Sequence, residues 1–384
     1  MEHISFHKPY ITDDEIAEVV DSLRSGWITM GPKTIEFEEC FKDYIFKKSG
    51  ASEYPDENRF AISFNSATAA LHLALKAIGL KTGDEVIIPT NTFVATAEVV
   101  TYYGAIPVLC DIEVDTHNMD TAKLEGLITK KTKAIIPVHF GGQPCDMDEI
   151  LEIAKRYNLQ VIEDAAHALP SKYKGKLIGT IGDITCFSFY ATKTLCTGEG
   201  GMATTTNKAY AKQMKINRLH GISRDAWDRY TFNGSWYYEV VDNGYKYNTT
   251  DINAALGLAQ LRKLDWMKKR REEIAQRYTD SFRGTQIIPP FVKEDRETSW
   301  HLYVIKVNNR DELIERLKEE GIGTSVHFIP IHKHPYYRET YGYRDEDYPV
   351  ANSVYERSIS LPIYPSLRRE EVDYIIKKVL RYGK

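Results

Sequence analysis

A chain of 384 residues with 42% hydrophobic content is long enough for two or three domains around a buried core. Its 50 basic and 54 acidic residues leave a formal net charge of −4, so no basic excess marks a surface that tracks nucleic-acid phosphates. No apolar run approaches the roughly 18 residues that cross a bilayer, and Met1-Glu-His-Ile-Ser has neither a basic start nor an apolar signal core, so a cytoplasmic location and no membrane partner are expected.

Thr12-Asp-Asp-Glu15 is a capping box that predicts an amphipathic helix to about Leu23, closed by Ser25-Gly26. The turn from Gly26 to Pro32 holds Trp27 between glycines and reads as loop packing. Phe60 to Phe64 reads as a strand, and the alanines and leucines after Ser66 have helical spacing. Their junction, Asn65-Ser66-Ala67-Thr68, offers hydroxyls and unpaired amides at a helix start, where the dipole favours an anion. An ordinary serine N-cap explains the same residues, and only the acid and the lysine described below turn the reading toward a phosphate. Strand Val86 to Pro89 leads into a second strand-to-helix junction, Asn91 to Thr96, which carries Phe93.

Further strands are expected at 107–111 and 133–139, and helices at 147–156 and 208–218. Apolar strands alternating with amphipathic helices over roughly 200 residues predict an α/β domain whose mostly parallel sheet binds its ligand at the strand carboxyl ends. From Arg218 to Asn248 the periodicity is lost, as in a lid or a partner-binding excursion. A buried helix follows Thr250, and then a charged one from Leu264 to Phe282, whose run Lys268-Lys-Arg-Arg-Glu-Glu reads as a solvated face. Beyond Pro289-Pro290, strands at 302–307 and 324–328 and helices at 311–320 and 370–380 predict a smaller α+β domain. The expected division is residues 1–255 for the N-terminal segment and large domain, and 256–384 for the small one. The five cysteines lack CxxC spacing, and the histidines at 327, 332 and 334 lack an HExxH motif or a matched carboxylate, so no metal is expected.

The stretch from Val161 to Gly201 carries the chemistry. An apolar strand ends on Glu163 and Asp164, followed by Ala165, Ala166 and His167, and a second strand from Ile184 to Tyr190 precedes Lys193 and the cluster Gly198-Glu-Gly-Gly201. An acid and a flexible amine over one cleft suit Schiff-base chemistry on pyridoxal 5'-phosphate. The lysine attacks the cofactor aldehyde and later moves a proton between carbon atoms, while a carboxylate keeps the pyridine nitrogen protonated. Lys193 is the expected amine and Asp164 the expected carboxylate. Ser66, Ala67 and Thr68 would hold the phosphate, with Ser188 closing it from the other side.

The segments EDAAHA, FSFYATKTLCTGEGG, NSATAALHLAL and YNTTDINAALGLAQL resemble the DegT/DnrJ/EryC1/StrS family of pyridoxal-phosphate-dependent nucleotide-sugar aminotransferases. The resemblance runs from SGWITMGP near the N-terminus to SVHFIPIH and SLPIYPSL near the C-terminus. It implies an α/β fold of the aspartate-aminotransferase type (fold type I), with a large domain on a mostly parallel mixed sheet and a smaller α+β domain. It also implies transfer of an amino group from L-glutamate to a keto group, with a leaning to the 4-keto position, of a UDP- or dTDP-linked sugar, in polysaccharide or glycan precursor biosynthesis. On the same ground Phe93 would stack on the pyridine, His167 would orient the phenolic oxygen or a substrate group, and Thr29, His327 and His332 would touch the sugar. Asn248 would reach the phosphate of a neighbouring subunit, which implies a homodimer with shared active sites. A plain helix-cap role competes for His167.

Two other readings stay open on the sequence alone. Some relatives dehydrate the sugar, but they carry a histidine where this chain has Lys193. A sensor that keeps the fold without turnover would have no need of the Asp164 and Lys193 pair.

Overall fold

The computed structural model describes residues 3–48, 55–223 and 237–384. The strands of these residues are numbered in chain order: β1 (Phe60–Phe64), β2 (Glu85–Pro89), β3 (Ile106–Cys110), β4 (Thr132–Ile135), β5 (Gln160–Asp164), β6 (Lys172–Tyr173), β7 (Lys176–Leu177), β8 (Ile184–Ser188), β9 (Gly201–Thr205), β10 (Arg296–Glu297), β11 (Tyr303–Lys306) and β12 (Ser358–Leu361). Seven of them form the central sheet in the order β1-β9-β8-β5-β4-β2-β3. Pairing is parallel from β8 through β5, β4 and β2 to β3, whereas β9 runs antiparallel to both β1 and β8.

Of the parallel strands, β2, β5 and β8 are buried along nearly their whole length because helices cover both faces. Alternate residues feed two separate cores: Ile87 and Val161 pack with Phe37, Phe41 and Phe187 on one face, and Val86, Ile88 and Ile162 with Phe64 and Leu71 on the other. The helix Pro32–Lys48, which is not among the elements expected from the sequence, supplies Phe37, Phe41 and Ile45 to the first face. Its Glu38 is buried against the guanidinium of Arg218, which also donates to the carbonyl of Ser63 at 3.0 Å. One buried ion pair thus ties this helix and β1 to the end of the helix Lys208–Asn217; removing one partner of such a pair typically costs about 3–5 kcal/mol.

A third core gathers Tyr278, Phe282, Tyr303, Ile305, Ile359, Leu361 and Ile375 around the antiparallel pair β11 and β12. Ile4 joins it from the other end of the chain, bridging in parallel to Ile322. The helix Leu264–Phe282 spans two cores: Leu264 and Met267 pack under the sheet, Ile274 and Tyr278 in the third core. Residues 331–354 turn back to the sheet, where Ile331, Tyr337, Tyr348 and Val354 pack on its second face. The strand expected at 324–328 does not form; only Ser325 pairs, with Ser360 of β12, and the chain then bends away past Pro330. Of the stretch expected as an excursion, residues 224–236 lie outside the described residues; residues 237–248 return through single bridges, Val240 to Ile222 and Lys246 to Leu219.

Candidate active site

The carboxyl ends of β5 and β8 and the start of the helix Ala67–Ala77 surround a cavity of about 500 Å³. β5 delivers Asp164 to it, fixed by its backbone N–H to the Pro137 carbonyl at 2.9 Å. The carboxylate is buried, with Oδ2 accepting from the Thr96 hydroxyl at 2.8 Å and Oδ1 from the Ala166 N–H at 3.1 Å. Thr96 is itself hydrogen-bonded to the Thr92 hydroxyl at 2.7 Å. Burial raises this carboxyl above its usual range, while Thr96, Ala166 and the Lys193 charge work in the opposite direction.

Lys193 follows β8 in a turn closed by its own N–H to the Tyr190 carbonyl at 2.9 Å. Its amine is lowered to about 8 by burial, against which the Asp164 charge acts. The neutral, nucleophilic amine is thereby brought toward ordinary pH.

At the helix start, Ser66 Oγ accepts the Ala69 N–H at 3.1 Å, as an N-cap does, and the amides of Ala67 and Thr68 head the helix at the cavity wall. Gly201 of β9 is what allows β9 so close. A Cβ there would lie 2.5 Å from the Ser66 carbonyl carbon and oxygen and 2.6 Å from the Ala67 nitrogen. Ser188, at the end of β8, brings its hydroxyl to the same cavity, where it accepts the Tyr190 N–H at 3.3 Å.

His167 is buried, and its Nδ1 accepts the backbone N–H of Gly141 at 3.3 Å. A backbone N–H can only donate, so the ring carries its proton on Nε2. Burial holds this imidazole well below its usual value, and the Lys193 and His327 charges act in the same sense. The result is a neutral N–H donor. Its ring lies 4.3 Å from that of His301 and 5.8 Å, nearly parallel, from that of Phe328. His327 is lowered to about 4 by burial, with Lys193 adding to the effect; its Nδ1 contacts the Ser360 hydroxyl at 2.8 Å, and its ring stacks on Phe6 at 5.5 Å. Phe93, with 58% of its surface exposed, stands 5.9 Å from Phe328.

Among the residues singled out from the sequence, Ser66, Ala67, Thr68 and Phe93 line this cavity, and so do Asp164, His167, Ser188, Lys193 and His327. His332 does not reach it: the ring is buried between the Thr90 hydroxyl, 2.7 Å from Nδ1, and Asn352 Oδ1, 2.9 Å from Nε2, so both nitrogens are engaged. Thr29 and Asn248 are also absent from the cavity wall of this chain. Thr29 accepts the Asp251 N–H at 3.0 Å, and Asn248 donates to its neighbour Thr249 at 2.9 Å. Sequence reasoning missed His7, Phe328 and His301. His301 Nδ1 is buried with no hydrogen-bond partner and faces a wall shared with His167. Nothing local flags it; only its position just before β11 in SWHLYV hints at delivery by a strand.

The donor set fits pyridoxal phosphate: amides at a helix start for the phosphate, a buried carboxylate for the ring nitrogen, an enclosed amine for the aldehyde, and exposed aromatic surface to cover the ring. Among the described residues no cluster of three or more His, Cys, Asp or Glu side chains is arranged to hold a metal, and no helix is long and apolar enough to cross a membrane.

Comparison with known proteins points to the same cofactor. The model of the DegT/DnrJ/EryC1/StrS aminotransferase family matches residues 9–380. The chain is 50% identical over 384 residues to the spore coat polysaccharide biosynthesis protein SpsC of Bacillus subtilis (strain 168), covering 98% of this chain and 96% of that one. The solved structure of the putative sugar aminotransferase Spr1654 from Streptococcus pneumoniae in its PLP form is 39% identical, with a TM-score of 0.89 over 99% of this chain and 98% of that one. Helicobacter pylori PseC, an aminotransferase involved in the biosynthesis of pseudoaminic acid, is 29% identical, with a TM-score of 0.89 over 99% of both chains.

Proposed function

The chain belongs to the DegT/DnrJ/EryC1/StrS aminotransferase family and is a pyridoxal-phosphate-dependent sugar aminotransferase, and from that premise we propose that it moves an amino group from L-glutamate to the 4-keto group of a UDP- or dTDP-linked sugar, in the making of a polysaccharide or glycan precursor. The observation that carries the chemistry is that the Lys193 amine and the buried Asp164 carboxylate line one cavity, where burial lowers the amine to about 8. The biosynthetic setting draws on SpsC and PseC, whose names concern a spore coat polysaccharide and pseudoaminic acid.

When bound, pyridoxal phosphate supplies an electron sink that stabilises negative charge on a substrate carbon. Lys193 Nζ would attach the cofactor, and its lowered basicity suits it to take up and hand back a proton near neutral pH. Asp164, oriented by Thr96 and the Ala166 N–H, would hold the ring nitrogen in its protonated form. Ser66, Ala67, Thr68 and Ser188 would hold the phosphate. His167 offers Nε2–H to an oxygen in the cavity and does not change charge near neutral pH. Phe93 would cover the ring and help to exclude water, and His327, which lines the same cavity, would serve as a sugar contact. Asn248, which does not line this chain's own cavity, would serve the phosphate of the neighbouring subunit, making the working unit a homodimer. Lys193 in place of histidine favours amino transfer over dehydration.

The test is a panel of UDP- and dTDP-ketosugars incubated with enzyme, cofactor and glutamate. Release of 2-oxoglutarate and a product carrying an amine at the former 4-keto carbon are expected. Amination only at another carbon, or no consumption of glutamate, overturns the assignment.

A further inference from the structure

Glu163 adjoins Asp164 on β5 but points to the opposite face of the sheet, where it and His139 are fully buried and neither lines the cavity. Glu163 Oε1 accepts the Gly182 N–H at 2.8 Å and the Thr185 hydroxyl at 2.6 Å, and Oε2 lies 2.9 Å from His139 Nε2. His139 Nδ1 in turn accepts the backbone N–H of Cys145 at 3.1 Å. That contact leaves Nδ1 without a proton, so Nε2–H is the donor to Glu163. The imidazole therefore bridges the two ends of the loop 139–145, and it does so in one orientation only.

Inside that loop, Phe140 donates its N–H to Asn118 Oδ1 at 2.9 Å, and Gly141, at φ 62°, presents its own N–H to Nδ1 of His167. Two imidazoles, one behind the sheet and one in the cavity, thus each take a backbone N–H of the same loop on Nδ1. We propose that Glu163 and His139 are positioning residues that set which nitrogen of His167 carries the proton, acting through the loop 139–145 and the Gly141 amide. Asp164 receives a second effect of the same pair, because the backbone N–H of His139 donates to the backbone carbonyl of Asp164 at 3.2 Å. This assignment rests on His167 acting as a donor in the site, whichever sugar is aminated.

Glu163→Gln separates positioning from packing. With Oε1 kept toward Gly182 and Thr185, the new amide NH₂ faces His139 Nε2–H. Relief requires moving the ring proton to Nδ1, where the Cys145 N–H already points. One of the two contacts is lost in either case. In the full-length chain labelled with ¹⁵N-histidine, with and without pyridoxal phosphate, the wild type should show Nε2–H signals for His139 and His167. Glu163→Gln should leave His167 as a mixture of tautomers and lower kcat about 10- to 100-fold, with KM for the sugar changed less than about 3-fold. Thr185→Val, which removes one donor to Glu163 without touching His139, should lower Tm but leave the His167 signal and kcat as they are. If Glu163→Gln does not fold, His139→Gln keeps an N–H for Glu163 but moves the acceptor one bond away from where Nδ1 meets the Cys145 N–H, and the same two signatures are expected. A His167 that keeps Nε2–H with unchanged kcat in the folded variant, or a Thr185→Val that reproduces both effects, overturns the proposal. The NMR readout needs no substrate, so it fails or succeeds independently of the amino-transfer reading.

Discussion

Thr96 donates its hydroxyl to Oδ2 of Asp164 at 2.8 Å from the first turn of the helix Val94–Thr101. The buried acid therefore has one oxygen held by a side chain and the other by the Ala166 backbone. Without Thr96, the burial that raises this carboxyl would meet less opposition. Thr96→Val should weaken cofactor binding about 10-fold, equivalent to about 1.4 kcal/mol, in line with one hydrogen bond to a charged group. Equilibrium dialysis of the apoprotein against pyridoxal phosphate measures it, and Thr96→Ser should behave like wild type. Equal affinities for all three would detach Thr96 from the site.

Lys193 gives a pH signature of its own. Its amine sits at about 8 in the folded chain against 10.5 ordinarily. Below about 8 both states hold the proton and the folded chain carries the full cost of a buried charge. Between the two values the unfolded chain binds more protons, so stability rises with pH. In the apoprotein, Lys193→Met should be more stable than wild type near pH 7, and the gap should close toward pH 10. Urea titrations at several pH values check this; a constant gap would show that burial does not depress the amine.

Gly201→Ala places a methyl group 2.5 to 2.6 Å from the backbone of Ser66 and Ala67. Either β9 or the helix start must shift, which typically costs about 1–3 kcal/mol. The damage should fall on the phosphate end of the cavity, with a drop in Tm of a few degrees and a rise of about 10-fold or more in the dissociation constant of pyridoxal phosphate. Pyridoxal without the phosphate, used as the comparison ligand, should be affected less. Equal losses for both would place the phosphate elsewhere.

Asn248 provides the test of subunit sharing. Lys193→Ala should abolish turnover and prevent borohydride from fixing the cofactor to the chain, while Asn248→Ala should weaken cofactor retention. Mixed dimers of the two variants contain one site with both residues intact, so up to about half of the wild-type activity per site pair should return when the dimers are verified by mass. No recovery in such dimers removes Asn248 from the neighbouring site.

Where chemistry and chain order coincide, the site is legible in the sequence alone. Asp164, His167, Ser188 and Lys193 lie within one stretch whose strand patterns end at the cleft, and Ser66 to Thr68 form a strand-to-helix junction of the kind that binds anions. His7 and His301 are not legible, because each is carried to the cavity from a distant part of the chain and neither sits in a pattern that announces it. The helix Pro32–Lys48 hides behind Gly31-Pro32, which reads as a turn, although Phe37, Phe41 and Ile45 repeat at helical spacing. The segment 324–328 carries strand-like residues, yet a strand needs a continuous partner edge, and β12 offers it one bridge. His332 looks available because polar residues invite function; its two nitrogens are used to join Thr90 to Asn352.

The path of the chain between its cores bears on how the gene can be divided. Ile4 lies at the start yet belongs with the last helix, and Ile331 to Val354 lie near the end yet sit on the sheet. A chain stopped after Arg262 would strip cover from both sides of the sheet, and the complementary fragment would lack the edge segment it receives from Ile4. Neither half carries a complete apolar interior, so two separately expressed pieces should be insoluble alone and recoverable only when produced together.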